Sequence, residues 1–385
     1  MNERRPYPAN CGRLRPRPHS SQARPVDIPK DVTVAQVDQF DEVIDVRSPG
    51  EFALDRIEDA INCPVLNDEE REVVGTLYKQ ASPFEARRIG AAMVARNIAR
   101  HLESTLRDRD RNWRPLVYCW RGGGRSDSLC DVLRRIGWRA AKLAGGYKAY
   151  RQAVIADLAQ LPVGLHFEVL CGRTGAGKSR VLQALAAEGA QVLDLEQLAC
   201  HRGSVLGELP GIAQPSQKMF ESKLWWRLRA LDPKRAIFVE SESRKIGNLQ
   251  IPQALIAAIR AAPCIVLVAD TSVRVALLLD EYAHLLRAPD MLKQRLDALS
   301  THYGREKISC WKAMATAGDY GNLVDELLTA HYDPAYDRSI ERNFPAIARA
   351  PVMRLRASNP GAMRELARAL LEQSLRSRVR IEGDI

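Results

Sequence analysis

The segment that most constrains the fold of this chain is an eight-residue motif, Gly-Arg-Thr-Gly-Ala-Gly-Lys-Ser, at residues 172–179. It follows the apolar run LHFEVLCG (165–172) and precedes KSRVLQALAAE (178–188), whose apolar residues recur with helical spacing. A G-x4-G-K-[ST] motif between a strand and a helix forms a loop whose backbone N–H groups surround phosphate groups. The sequence therefore predicts an α/β domain with a diphosphate-binding loop built from Gly172, Thr174, Gly175, Ala176, Gly177, Lys178 and Ser179.

The loop predicts a phosphate ligand but does not identify the rest of that ligand. Lys178 is expected to neutralise the outer phosphates, and the Ser179 hydroxyl is the candidate ligand for Mg²⁺. Glu240, at the end of the apolar run RAIFVES (235–241), could hold a metal or polarise a bound group, or it could be an ordinary strand-end carboxylate. Asp194, His201 and Arg202 are further candidates near the phosphates, although a His-Arg pair is more often a surface feature. No motif for a nucleotide base follows, so ATP hydrolysis is not established.

A second loop of chemical interest follows the apolar run RPLVYCW (114–120) and precedes the amphipathic segment SDSLCDVLRRIGW (126–138). Backbone N–H groups of a loop that enters a helix form an anion nest, and adjacent arginines favour a thiolate at Cys119. Cys119 is therefore the candidate nucleophile, the alternative being a buried structural cysteine. The predicted anion-binding loop comprises Arg121, Gly122, Gly123, Gly124, Arg125 and Ser126.

The spacing Cys119-x5-Arg125 also fits a phosphatase loop in which the cysteine attacks phosphorus. Tyr118 stands where such phosphatases commonly place a histidine, and no general-acid aspartate is evident. The phosphatase is therefore the weaker alternative.

The order of strand-like and helical runs predicts two different α/β domains in tandem. A length of 385 residues suggests two or three domains. Residues 1–26 are rich in Arg and Pro and are predicted to be disordered, residues 27–157 form the first domain, and residues 158–385 form the second, with a C-terminal helical region. Helical stretches in the second domain include 217–230, 251–261, 272–300 and 361–378.

The net charge of +10 lies mostly at the two ends of the chain, as arginine. Arginine suits phosphate, which favours a nucleic acid partner, whereas a solubilising tail and a solvated helix face would explain the same charge. Of Trp225 and Trp226, one is expected in the core and the other is a candidate for stacking on a base. No apolar run is long enough to span a membrane, no secretory signal is evident, and the eight cysteines contain no CxxC pair. These features predict a cytoplasmic protein with reduced cysteines and no zinc site.

Four ordered motifs in the first domain together resemble the rhodanese-type sulfurtransferases: DVRSPGEF (45–52), AIN (60–62), CWRGGGRS (119–126) and AGGYKAYR (144–151). The resemblance covers about residues 35–155 and implies a rhodanese-like parallel sheet. It also implies that Cys119 carries a persulfide or its selenium analogue, and that Asp45 and Arg47 brace the loop.

The whole chain, from residue 35 to about 340, is similar to the bacterial tRNA 2-selenouridine synthase family, in which a rhodanese-like domain precedes a P-loop NTPase-like α/β domain. The similarity rests on DLEQLACHRGS, QPSQKMFE, VESESRKIG and HYDPAYDRS, which follow in that order. It implies a transferase that attaches a geranyl group from geranyl diphosphate to the sulfur of wobble 2-thiouridine in tRNA. Selenium from selenophosphate then replaces the geranylated sulfur.

The same resemblance implies that no cofactor is tightly bound and that an enzyme supplying selenophosphate is a candidate partner. Two other functions remain open at this point: an ATP-dependent tRNA sulfurtransferase, and a signalling protein in which an anion sensor is fused to a nucleotide switch.

Overall fold

The computed structural model describes residues 29–383 except Val205 and His302, with only the backbone described for 377–383. The tail predicted at 1–26 lies outside these residues. The chain divides into two compact units. The first runs through Asp157 and also includes Pro215–Trp226, and the second comprises Leu158–Gln214 and the chain from Arg227 onward. The segment Pro215–Trp226 thus groups with the first unit, although the sequence analysis placed it in the second domain.

The first unit contains a parallel sheet in the strand order β1-β5-β4-β2-β3. Its strands are β1 (Asp31–Val32), β2 (Glu42–Asp45), β3 (Ile61–Asn62), β4 (Pro115–Tyr118) and β5 (Ala141–Leu143). Its helices are α1 (Pro49–Leu54), α2 (Asp68–Gln80), α3 (Pro83–Glu103), α4 (Gly124–Ile136) and α5 (Gly146–Gln160). In the core, Ile44 and Val117 of adjacent strands pack with Ile98 of α3 and Leu129 of α4. All four side chains are buried, which removes their apolar surface from water.

The second unit contains another parallel sheet, in the order β12-β11-β6-β8-β7. Its strands are β6 (His166–Cys171), β7 (Gln191–Leu193), β8 (Ala236–Glu240), β11 (Cys264–Ala269) and β12 (Val352–Leu355), and β9 (Lys245–Ile246) and β10 (Leu249–Gln250) form a separate antiparallel pair. The helices from α6 to α11 are α6 (Lys178–Ala187), α7 (Leu195–Ala199), α8 (Gln217–Arg229), α9 (Gln253–Ala261), α10 (Thr271–Glu281) and α11 (Ala283–Leu286). Helix α8 belongs to the first unit as far as Trp226. They are followed by α12 (Pro289–Asp297), α13 (Arg305–Ala317), α14 (Tyr320–Leu327), α15 (Asp333–Asn343) and α16 (Pro360–Gly383). The predicted α/β class with parallel sheets is confirmed.

Separate apolar clusters of described residues stabilise the second unit. Leu170 of β6 and Phe238 of β8 pack with Leu185 of α6 and Leu370 of α16. A separate cluster joins α12, α13 and α14 around the fully buried Trp311.

The prediction of one continuous helix over 272–300 is wrong, because the structure divides this region into α10, α11 and α12. The chain leaves the helix at Tyr282 and again before Pro289, which occupies the first turn of α12, where a missing N–H costs nothing. Across the part of the chain that is described, no helix combines the length and the apolar character needed to cross a membrane.

Candidate functional site

The loop after β4 places Cys119 at the carboxyl edge of the first sheet. Strand β4 ends at Tyr118, which pairs in register with Asp45 at the end of β2. The chain then turns through three glycines and enters α4 at Gly124, with Gly123 as the N-cap. Cys119 therefore lies at the junction of a strand with a helix N-terminus, where backbone N–H groups are unpaired and favour an anion.

The Cys119 thiol is held by groups that stabilise its anion. The side chain is only 4% exposed. Its Sγ accepts a hydrogen bond from the Gly123 N–H at 3.3 Å and lies 3.2 Å from the Ser126 Oγ. Burial on its own would raise the pKa of Cys119, but hydrogen bonds from the Ser126 hydroxyl and from backbone N–H groups of the loop outweigh it and lower the pKa. The geometry favours a thiolate at this position.

The shape of the Cys119 loop depends on glycines with left-handed backbone angles. Gly122 has φ of +68°, and Gly146, in the following segment, has φ of +57°. A Cβ on Gly146 would lie 2.3 Å from the Cys119 carbonyl oxygen and 2.5 Å from the Gly122 nitrogen. The Tyr147 N–H also donates to the Cys119 carbonyl at 2.8 Å. The segment at 145–147 therefore packs directly against the loop and fixes its path.

Asp45 and Arg47 form a buried ion pair beside the Cys119 loop. Arg47 is 1% exposed and donates to both carboxylate oxygens of Asp45, with the shortest contact at 2.6 Å. It also donates to the Asp55 carbonyl at 2.6 Å, and its guanidinium lies 4.0 Å from the centre of the Tyr147 ring. Tyr147 follows Gly146, which packs against Cys119. The Asp45–Arg47 ion pair therefore contacts the segment that supports the loop and does not contact the thiol.

The two arginines of the loop have different surroundings. Arg125 is half-buried and pairs with Glu51 of α1 at 2.9 Å. Arg121 is exposed and makes no ion pair with any residue that the structure describes. Arg125 therefore connects α4 to α1, whereas Arg121, two residues after Cys119, is left exposed to solvent.

The phosphate-binding loop of the second unit joins β6 to α6. Gly175 and Gly177 have φ of +78° and +84°, angles that a side chain at either position would strain. A Cβ on Gly172 would lie 2.6 Å from the Leu267 carbonyl oxygen. The Lys178 Nζ donates to the Gly172 carbonyl at 2.8 Å, which folds the lysine across the loop. Thr174 and Ser179 line the cavity at this loop, and Ala176 is buried beneath it.

Three carboxylates converge next to Lys178 and Ser179. Glu196, Glu240 and Glu242 each offer an oxygen, and these oxygens lie within 4.8 Å of one another. The Ser179 hydroxyl donates to Glu196 at 3.3 Å. Burial and the neighbouring carboxylates raise the pKa of Glu196, and burial raises the pKa of Glu240 to about 8. Glu240 is 4% exposed, and its Oε1 has no hydrogen-bond partner among the described residues. A cluster of carboxylate oxygens of this kind suits a hard divalent cation, which prefers oxygen ligands.

The remaining predicted residues occupy different places. Arg202 lines the cavity and pairs with Glu281. His201 is buried. Its Nδ1 accepts a hydrogen bond from the Gly203 N–H at 3.1 Å, and burial lowers the pKa of the imidazole. Asp194 caps helix α7 by accepting from the Gln197 N–H at 2.8 Å. The described structure thus brings Glu240 and Arg202 to the loop but leaves His201 and Asp194 out of the cavity lining.

A cavity of about 380 Å³ adjoins the phosphate-binding loop. Three residues that were not among the predicted site residues also line the cavity: Glu196, Glu242 and Tyr336 of α15. Glu196 lies in the motif DLEQLACHRGS and Glu242 in VESESRKIG. Their distances from Lys178 along the chain do not indicate that the three side chains are close in space. Helix α15 is held by Asp333, which pairs with Arg274 through both carboxylate oxygens while Arg274 donates to the Thr174 carbonyl.

The tryptophan pair does not present a base-stacking surface. Trp225 is 1% exposed and Trp226 is 9% exposed, and the two rings meet edge to face at 4.8 Å. Their indole N–H groups donate to Asp157 and to the Tyr150 hydroxyl. The prediction that one of them could stack on a nucleic-acid base is wrong, because both belong to the core of the first unit.

Two segments of this chain match models of known protein families. Residues 165–306 match the tRNA 2-selenouridine synthase AAA domain, and residues 31–153 match the rhodanese-like domain. A tRNA 2-selenouridine synthase of Alcanivorax borkumensis is 33% identical over 332 residues, covering 78% of this chain and 90% of the relative. One from a Sulfurovum species is 33% identical over 330 residues, covering 78% and 89%. A rhodanese-related protein of Thermoplasma volcanium aligns over 32% of this chain and 92% of its own, at 17% identity and a TM-score of 0.21.

Proposed function

Since this chain belongs to the tRNA 2-selenouridine synthase family, we propose that it is a transferase that geranylates wobble 2-thiouridine in tRNA and then exchanges the S-geranyl group for selenium. The observation that carries the proposal is the presence of two separate loops that each lead from a strand into a helix N-terminus, one of them holding Cys119, whose pKa is lowered by hydrogen bonds. Both donors, geranyl diphosphate and selenophosphate, are phosphate anions, and the two loops suit them separately.

We assign geranyl transfer to the phosphate-binding loop. The carbon–sulfur bond forms at C1 of the prenyl group as its bond to oxygen breaks, and diphosphate leaves with the electron pair. The proton on N3 of the thiouracil ring is released. Lys178 and the N–H groups of the loop would stabilise the charge that develops on the leaving diphosphate.

The carboxylates beside the loop fit a divalent cation such as Mg²⁺. Glu196, Glu240 and Glu242, with the Ser179 hydroxyl, are the residues that would hold it, and the unpartnered Oε1 of Glu240 supports that fit. A bound cation would supply positive charge next to the diphosphate. The proposal for the protein residues does not depend on it.

We assign the exchange of sulfur for selenium to Cys119. As a thiolate, Cys119 would displace geranylthiolate from C2 of the base, and the selenium of selenophosphate would then displace the Cys119 sulfur. Water hydrolyses the selenium–phosphorus bond and releases phosphate. Both displacements are redox-neutral, whereas a perselenide on Cys119 would need a two-electron oxidant. Arg121 and the nest of N–H groups would hold the selenophosphate anion.

Omission of each donor tests this function. Purified protein is incubated with tRNA that contains 2-thiouridine. The tRNA is then digested, and its nucleosides are separated and identified by mass spectrometry. We expect S-geranylated nucleoside with geranyl diphosphate alone and 2-selenouridine when selenophosphate is added, without ATP. With tRNA that lacks the modification, conversion of uridine to 2-thiouridine that requires ATP and no prenyl diphosphate would instead indicate an ATP-dependent sulfurtransferase. A protein that leaves the nucleoside unchanged with both donors would contradict the proposal.

A further inference from the structure

The cavity beside the phosphate-binding loop has an apolar wall that the chemistry of phosphate binding does not explain. Leu277 and Leu278 of α10 line it, as do Tyr336, Ile340 and Phe344, which belong to α15 and its C-cap. Leu278 packs against the loop, since a Cβ on Gly175 would lie 2.9 Å from its Cδ1. The hydrocarbon surface therefore begins directly at the phosphate-binding loop.

The polar ends of the aromatic residues in this wall are already used within the protein. The Tyr336 hydroxyl accepts a hydrogen bond from the Gly172 N–H at 2.6 Å. The hydroxyl of Tyr282, which also lines the cavity, lies 3.1 Å from the Ser204 Oγ. Ser339 and Asn343 of α15 also line the cavity, but the Asn343 Nδ2 donates to the Ser339 hydroxyl at 3.1 Å. The surface that Tyr336, Ile340 and Phe344 present is ring carbon and aliphatic side chain, which suits a hydrocarbon better than a nucleotide base that needs hydrogen-bond partners.

The wall also has a direction. The Lys178 Nζ lies 5.9 Å from the centre of the Tyr336 ring, so Tyr336 is at the phosphate end. Residues four apart lie on one face of a helix, which places Ile340 and Phe344 on successive turns beyond Tyr336. At 1.5 Å per residue, Tyr336 and Phe344 are separated by about 12 Å along the axis. Ile340 and Phe344 are both buried, and the Phe344 N–H donates to the Ile340 carbonyl, which continues the last turn.

We propose that Tyr336, Ile340 and Phe344 form the subsite for the hydrocarbon chain of a prenyl diphosphate and that Phe344 limits the length of that chain. This inference rests on the proposed function. The eight main-chain carbons of a geranyl group extend about 9 Å, because each bond of about 1.5 Å advances an extended chain by about 1.25 Å, so the group fits within the wall. A farnesyl group is longer by roughly 5 Å on the same bond length and would meet Phe344.

The Tyr336 ring has a further role in this arrangement. As the bond from C1 to the diphosphate oxygen breaks, positive charge develops on the allylic carbon next to the phosphates. An aromatic face within about 6 Å attracts such a charge. Tyr336 lies on the phosphate side of the wall, where that carbon would be.

Competition between two prenyl donors tests the subsite. Full-length wild type, Phe344→Leu and Phe344→Ala are each incubated with 2-thiouridine-containing tRNA and equal concentrations of geranyl and farnesyl diphosphate. The ratio of farnesylated to geranylated nucleoside is measured by mass spectrometry. We expect the ratio to rise at least about tenfold in Phe344→Ala and by a smaller factor in Phe344→Leu. The leucine variant retains a buried apolar side chain, so it provides the test if the alanine variant does not fold. Phe167→Leu removes an equally buried ring of β6 outside the cavity lining and should leave the ratio unchanged.

The outcomes separate the subsite from the function. If wild type transfers geranyl groups and the folded Phe344 variants keep its product ratio, the subsite is wrong and the proposed function stands. If wild type transfers neither prenyl group, the proposed function is wrong, and the subsite fails with it.

Discussion

The Ser126 hydroxyl is expected to control the reactivity of Cys119. Ser126 is fully buried, and its Oγ lies 3.2 Å from the Cys119 Sγ and 2.9 Å from the Gly123 carbonyl oxygen. A hydrogen bond to a charged group contributes about 1.5–3 kcal/mol, and each 1.4 kcal/mol is a factor of about ten in an equilibrium. Because one hydroxyl proton serves two acceptors, we expect the lower end of that range. Ser126→Ala should reduce the thiolate fraction roughly tenfold at a pH below the pKa of the thiol.

Alkylation of Cys119 by iodoacetamide measures this effect. The rate is followed from pH 6 to 10 by mass spectrometry of the peptide that contains Cys119. Cys63 and Cys130 should stay silent, because burial raises the pKa of each to about 12. Since the variant has the higher pKa, its profile should move to higher pH, and the two rates should converge once both thiols are ionised.

Ser128→Ala is the matched control for the alkylation experiment. Ser128 lies on the same helix, and its hydroxyl donates to the Gly124 carbonyl at 2.7 Å. Its removal should leave the profile of Cys119 unchanged. A Ser126→Ala protein with the wild-type alkylation profile would refute the reasoning that this hydroxyl stabilises the thiolate.

Two further predictions concern buried charges. Arg47→Ala should lower the free energy of unfolding by about 3–5 kcal/mol, because it leaves the Asp45 carboxylate buried without its partner; a loss below about 1 kcal/mol in urea denaturation would contradict this. Burial raises the pKa of Glu240 from its ordinary 4.5 to about 8, so the folded protein retains this proton where the unfolded chain has lost it, and stability should fall as pH rises through that window. Glu240→Gln should reduce that fall in thermal unfolding from pH 5 to 8.5 with a chelator present, the remainder coming from Glu196, whose pKa is also raised, and equal pH slopes in both proteins would count against it.

Both chemical loops could be predicted from sequence because each is a local feature. Short apolar runs before residues 119 and 172 are bounded by turn residues and therefore favour buried strands, and the glycines that follow permit the backbone angles that the loops require. The helices after them begin at Gly124 and Lys178, close to the predicted starts. In such segments the local pattern and the tertiary structure favour the same conformation.

The parts that the sequence did not predict depend on contacts between distant segments. Glu196 and Glu242 reach Lys178 because β8 pairs with β6 on one side and with β7 on the other, and the register of those pairings is not a local property. The helical pattern could not show that the start of α8 packs with the first unit, which buries both Trp225 and Trp226. Helix α15 was not predicted because its polar sequence resembles a loop, and its ion pair with Arg274 unites residues far apart in the chain.

The most direct test of two separate loops acting on one nucleoside is a comparison of Lys178→Ala with Cys119→Ser. Each variant receives 2-thiouridine-containing tRNA, geranyl diphosphate and selenophosphate, and the modified nucleosides are quantified by mass spectrometry. Lys178→Ala should leave 2-thiouridine unmodified, whereas Cys119→Ser should accumulate the S-geranylated nucleoside without 2-selenouridine. Full geranylation by Lys178→Ala, or wild-type selenouridine formation by Cys119→Ser, would contradict the assignment of the two steps to these two sites.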